Sequence, residues 1–131
     1  MDTTLGMVAI VEDDGAMRTS IERLLRASGY ETTAFASAEE FLASPIVDRA
    51  IGLVLDVHLG GMSGIELGRR LSSAQSPLPI VFVTAHDDEA ARREALTVGC
   101  VDYLRKPFDA NRLTEALERG RNARPHLRHR V

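Results

Sequence analysis

A chain of 131 residues, 44% of them hydrophobic, buries one sizeable core and leaves no room for a second folded domain. A formal net charge of -3 gives no global electrostatic reason for nucleic acid or an anionic membrane to be the primary ligand. Cys100 is the single cysteine, which excludes an intramolecular disulfide and suits a reducing compartment, and no apolar run nears the roughly 20 residues of a membrane span, so a cytoplasmic protein without a membrane partner is expected.

In chain order, the apolar burst Met7 to Val11 has strand length and hardly a break, the pattern of a central strand covered on both faces. Met17, Ile21, Leu24, Leu25 and Ser28 follow at helical spacing, and Gly29 supplies a stop. Tyr30 to Phe35 alternates more and carries Glu31, Thr32 and Thr33, which suits an edge strand. Ser37 with Glu40 has the capping-box spacing that opens a second helix. Ile51 to Leu55 is a third strand running into Asp56, after which Ser63 with Glu66 opens a third helix. Ile80 to Val83 is again central and ends at Thr84, and Asp87 can cap the alanine-rich fourth helix. The weaker burst Val101 to Leu104 is the fifth strand and leads to Lys106 and Pro107. The fifth helix starts near Asp109, buries Leu113, Ala116 and Leu117, and stops at Gly120. Arg121, Arg124, Arg128 and Arg130 come after it with no acidic residue, and Pro125 argues against continued helix. Residues 1–120 therefore read as the domain and 121–131 as a mobile, solvated basic tail or the start of a linker.

Strict alternation of strand and helix implies right-handed crossovers, and so an α/β doubly wound domain with a five-stranded parallel sheet in the flavodoxin-like order 2-1-3-4-5. Ligands of such sheets sit beyond the carboxyl ends of the strands, where this chain places Glu12, Asp13, Asp14, Asp56, Thr84 and Lys106. Clustered carboxylates repel one another and take up protons unless a cation neutralises them. A divalent metal is the economical answer, and carboxylates with carbonyl oxygen and water suit magnesium (or manganese), while no Cys and His spacing suggests zinc. One carboxylate among them can then attack a phosphoryl donor, with Lys106 and Thr84 as the ammonium and hydroxyl that neutralise and position the transferred group.

Four segments in order, VAIVEDD, LVLDVHLGGMSG, VFVTAHDD and DYLRKPF, resemble the receiver family of two-component response regulators over roughly Met7 to Gly120. The resemblance implies a switch rather than an enzyme. By it, Asp56 accepts the phosphoryl group from a phosphohistidine on a sensor histidine kinase. Glu12 and Asp13 hold magnesium, with Asp56 and the backbone carbonyl of His58 as further ligands, and Thr84 and Lys106 contact the phosphoryl oxygens. Family members usually have a cis bond between the residues that are Lys106 and Pro107 here, which points the lysine inward. The resemblance also implies that Thr84 moves toward the phosphate while Tyr103 turns inward, changing the face of the fourth helix, fifth strand and fifth helix that serves a homodimer or an effector. AFASAEEFL, LGGMSGIEL, TAHDD and LRKPF look most like the FixJ-type subfamily, whose members usually join the receiver to a helix-turn-helix domain. DNA contact and transcriptional control would run through such an effector domain, which has no counterpart in these 131 residues.

Several residues keep a plainer reading beside the functional one. Asp13 or Asp14 could cap the first helix. His58 and His86 flank the crevice at positions that in the resembled family influence phosphate hydrolysis, or are simply exposed loop histidines. Gly60, Gly61 and Gly64 serve a turn and the close start of the third helix, in the wrong spacing and context for a dinucleotide fingerprint. Met62 is contact or core filler, and Cys100 a small half-buried residue without redox duty. A phosphohydrolase of the haloacid-dehalogenase type would want a second aspartate two residues after the nucleophile, where this chain has His58. A degenerate receiver that binds partners without phosphate sits poorly with the complete set of acids, Thr84 and Lys106.

Overall fold

A computed structural model describes residues 4–86 and 88–128, the side chains of 124–128 excepted. Its elements alternate: β1 (Met7–Val11), α1 (Gly15–Ala27), β2 (Glu31–Phe35), α2 (Ala38–Leu42), a 3-10 turn (Pro45–Asp48), β3 (Gly52–Asp56), α3 (Gly64–Ser73), β4 (Ile80–Thr84), α4 (Glu89–Val98), β5 (Asp102–Arg105) and α5 (Ala110–Arg128). The strands form one parallel sheet in the order β2-β1-β3-β4-β5, the flavodoxin-like order the sequence predicts.

Alternation along each strand divides the core between the two faces of the sheet. Ala9, Val11, Leu53, Leu55 and Phe82 pack on one side with Phe41 of α2, Leu67 and Leu71 of α3, and Ala91 and Ala95 of α4. Val8, Ile10, Val54, Val81 and Val83 pack on the other with Ile21 and Leu25 of α1 and Leu113, Ala116 and Leu117 of α5. Burial on both faces explains the unbroken apolar runs of β3 and β4, every residue of which is buried, while β2 at the edge stays half-exposed. Each fully buried Leu or Phe contributes about 1.5–3 kcal/mol through apolar area removed from water.

The helix caps follow the sequence where a cap is local. Ser37 Oγ accepts the Glu40 N–H at 3.1 Å, and Ser63 Oγ accepts the Glu66 N–H at 3.1 Å. Gly29, with φ +102, lies just beyond the last turn of α1 as a left-handed stop. Two expectations are corrected. Asp88 caps α4 by accepting from the N–H groups of Ala90 and Ala91, at 3.0 and 3.2 Å; Asp87, the expected cap, lies outside the described residues. And α5 does not stop at Gly120 but continues to Arg128. Gly120 sits inside the helix because a Cβ there would come within 2.7 Å of Pro79 Cβ, so the glycine permits close packing. Of the tail arginines, Arg121 donates to the Leu5 carbonyl at 3.4 Å. The side chains of Arg124 and Arg128, and all of Arg130, lie outside the described residues. No described helix is long and apolar enough to cross a membrane.

Candidate functional site

Strand register brings the carboxyl ends of β1, β3, β4 and β5 side by side, with Val11 opposite Leu55, Asp56 opposite Val83 and Thr84 opposite Arg105. The residues just past those ends line a crevice of about 210 Å³ formed by Glu12, Asp13, Asp14, Asp56, His58, Ala85, His86 and Lys106.

The three consecutive acids after β1 are sorted by local hydrogen bonding. Glu12 continues the ladder, its N–H donating to the Phe35 carbonyl at 3.0 Å, and its side chain is only 1% exposed. Asp14 is the N-cap of α1, accepting from Ala16 and Met17 N–H at 2.9 and 3.1 Å. Asp13, between them, is exposed and turned to the crevice mouth. Capping therefore belongs to Asp14 and leaves Asp13 for the site.

Asp56 closes β3 and is 5% exposed. Its Oδ1 accepts the His58 N–H at 3.0 Å, and its Oδ2 faces the Lys106 ammonium at 3.2 Å. A Cβ on Gly64 would lie 2.0 Å from the Asp56 carbonyl oxygen, so only glycine lets α3 begin against this strand end. Lys106 extends β5: its N–H donates to the Thr84 carbonyl at 2.7 Å, and its peptide with Pro107 is cis. Its Nζ donates to Glu12 Oε1 at 2.5 Å as well as to Asp56.

Carboxylate oxygens of Glu12, Asp13 and Asp56 all lie within 4.8 Å of one another. Burial, then hydrogen bonding and repulsion from Asp56, push the Glu12 carboxyl up to about 7, against the pull of Lys106 and the Asp14 N–H. Burial works against the Lys106 charge, yet its contacts with Glu12 and Asp56 outweigh that and hold its pKa above the ordinary lysine value. Three acids facing one ammonium leave the crevice short of positive charge, and its donors are hard oxygens. A divalent ion such as magnesium fits both facts, with Glu12, Asp13 and Asp56 as the side chains to hold it.

Thr84, fully buried at the end of β4, commits its hydroxyl to its own loop, accepting from His86 N–H at 3.1 Å and donating to the His86 carbonyl at 3.2 Å. Tyr103 is half-buried on β5, opposite Phe82, and packs on the α2, α3 and α4 side of the sheet rather than in the crevice. Met62 and Cys100 pack there too, and burial followed by the nearby Asp102 raises the Cys100 thiol. The His58 and His86 rings meet edge to face, centroids 4.9 Å apart, at the crevice rim. Sequence reasoning places both there but gives no sign of the contact. It also misses Arg18, whose Nη1 donates to the Glu12 carbonyl at 2.8 Å. No local signal marks it, because its partner is a backbone carbonyl in the turn after β1.

The family model of the response regulator receiver domain matches residues 8–118. The transcriptional regulatory protein FixJ of Bradyrhizobium diazoefficiens is 41% identical over 117 residues, covering 88% of this chain and 57% of that protein. Nodulation protein W of the same organism is 41% identical over 115 residues, covering 88% and 51%. Among solved structures, full-length FixJ from B. japonicum has a TM-score of 0.83 at 37% identity, over 93% of this chain and 60% of that one. The chain spans little more than half the length of these relatives.

Proposed function

The chain belongs to the response regulator receiver domain family, in its FixJ-type branch, and from that membership together with the crevice geometry we propose that Asp56 is the residue that carries phosphate. The observation behind this reading is that Asp56, Glu12 and Asp13 converge at one strand-end crevice with Lys106 reaching across it. The donor is a phosphohistidine on a sensor histidine kinase: an Asp56 carboxylate oxygen attacks phosphorus, the P–N bond breaks, and the histidine leaves with the bonding pair.

Glu12, Asp13, Asp56 and the His58 backbone carbonyl would hold magnesium (or manganese). When bound, the ion supplies charge neutralisation for the transferred group and the acids around it. Lys106 follows the charge from the Asp56 carboxylate to a phosphoryl oxygen, forming a charge-assisted hydrogen bond. Thr84 exchanges the His86 carbonyl for another phosphoryl oxygen. These contacts exist only in the phosphorylated state, so they bias a two-state equilibrium toward it. Tyr103 then turns into the space Thr84 vacates, and the α4-β5-α5 face changes its fitness for a second copy or an effector. The transcriptional regulators among the relatives point to gene regulation as the output, exerted through a DNA-binding effector domain. The setting is the cytoplasm.

Intact mass spectrometry with magnesium and acetyl phosphate tests the assignment. The wild type should gain one phosphate, and Asp56→Asn, which keeps the shape and removes the nucleophile, should gain none while folding normally. Full labelling of Asp56→Asn would sink the reading.

A further inference from the structure

The loop from β3 to α3 carries the backbone carbonyl proposed for metal binding, and its two ends are pinned locally. His58 N–H donates to Asp56 Oδ1 at 3.0 Å, and Gly64 N–H donates to the Val57 carbonyl at 3.0 Å. The middle of the loop is tied to a different element. Met62 N–H donates to Glu39 Oε2 of α2 at 2.9 Å. Next to it Gly61 has φ +72, and a Cβ there would come within 2.8 Å of the same oxygen, so the loop backbone lies directly against the carboxylate. The backbone of Glu39 is fixed by its helix, and its side chain is exposed. The residue stands in the first turn of α2, between the Ser37 cap and the fully buried Phe41.

We propose that Glu39 is a positioning residue for the magnesium site: its carboxylate fixes the loop after Asp56, and with it the His58 carbonyl, in the arrangement the metal uses. The inference rests on the magnesium reading above. The Met62 N–H, followed by its own backbone N–H, holds the Glu39 carboxyl below its ordinary value, as an anionic acceptor of a hydrogen bond requires. A loop that must be ordered on each binding event costs affinity, and one ordered beforehand does not. Glu39 lies outside the crevice and is not among its lining residues, so it acts through the loop.

The test combines calorimetric magnesium titration of the whole chain with amide hydrogen exchange at Met62, for wild type, Glu39→Ala, Glu39→Gln and Glu40→Ala. Loss of this solvent-exposed hydrogen bond should raise the magnesium dissociation constant of Glu39→Ala about two- to fivefold. Met62 exchange should speed up, and the phosphorylation rate at saturating magnesium should stay at the wild-type value. Glu39→Gln keeps an acceptor and should restore most of the affinity. Glu40→Ala removes a charge from the same turn without touching the loop and should bind as wild type. Wild-type affinity in Glu39→Ala, unchanged Met62 exchange, or equal weakening in Glu40→Ala would overturn the proposal. Failure of the wild type itself to bind magnesium would instead remove the metal reading on which it stands.

Discussion

The acidic crevice and α4 are neighbours built to opposite mechanical standards. At the crevice, Glu12 and Asp56 are each held by several bonds: the Glu12 carboxylate by Lys106 and the Asp14 N–H, and its backbone by the Phe35 carbonyl and Arg18; Asp56 by His58 N–H and Lys106. Around α4 the anchors are slight. It buries Ala91 and Ala95, whereas α1 buries Ile21 and Leu25 and α5 buries Leu113, Ala116 and Leu117. A buried leucine contributes about 1.5–3 kcal/mol and a single methyl about 0.8 kcal/mol, so α4 is the helix whose displacement costs least. Leu96 on it is 55% exposed, and the ion pair from Arg69 of α3 to Glu94 is open to solvent. In the proposed function, chemistry that needs fixed geometry would sit on the stiff region and a response that needs motion on the soft one.

The strongest way to break this contrast is Gly64→Ala. With a Cβ 2.0 Å from the Asp56 carbonyl oxygen, the strand end and the start of α3 cannot both keep their places. Overpacking of this severity should cost about 3 kcal/mol in urea unfolding and abolish magnesium binding. A variant as stable as wild type with intact binding would show the crevice to be more yielding than described.

A smaller effect follows from the Glu12 carboxyl, raised from 4.5 to about 7. Folded Glu12 binds its proton more tightly than unfolded Glu12. Its contribution to stability is therefore fully present below about pH 4.5 and is lost as pH rises through about 7. Metal must displace that proton, so magnesium affinity should rise with pH below about 7, by up to about tenfold per unit, and level off above. Calorimetric titrations across this window check it; a pH-independent dissociation constant would contradict the crowding described for the crevice.

The smallest effect is expected at Arg69→Ala. An exposed ion pair is worth about 0–1 kcal/mol, so global stability should hardly change. Amide exchange along α4 should nonetheless speed up, because the side chains this helix buries are the alanines Ala91 and Ala95. Unchanged α4 exchange would mean that this pair does not restrain it.

How much of this was legible beforehand depended on the range of the interaction. β1 and β4 were readable because double-sided burial writes itself as a nearly uninterrupted apolar run. The gathering of Glu12, Asp13, Asp56 and Lys106 was readable because parallel topology places strand ends together wherever they occur in the chain. Gly120 misled because a glycine that ends a helix and one that admits Pro79 look alike in sequence. Asp87 and Asp88 are equivalent caps until the backbone chooses. Arg18 and Glu39 were invisible for a deeper reason: each is an ordinary surface helix residue whose partner is a backbone group in another segment, and no local pattern encodes such a contact.

Hydrogen exchange across the whole chain, with magnesium and with or without beryllium fluoride as a phosphoryl mimic, decides whether the acceptor site and the α4-β5 face are coupled. Protection should rise at the crevice loops and change along α4 and β5 while α1 stays constant, and these changes should vanish in Asp56→Asn. A crevice that gains protection with no change in α4 or β5 would contradict the coupling of a stiff acceptor site to a soft output face.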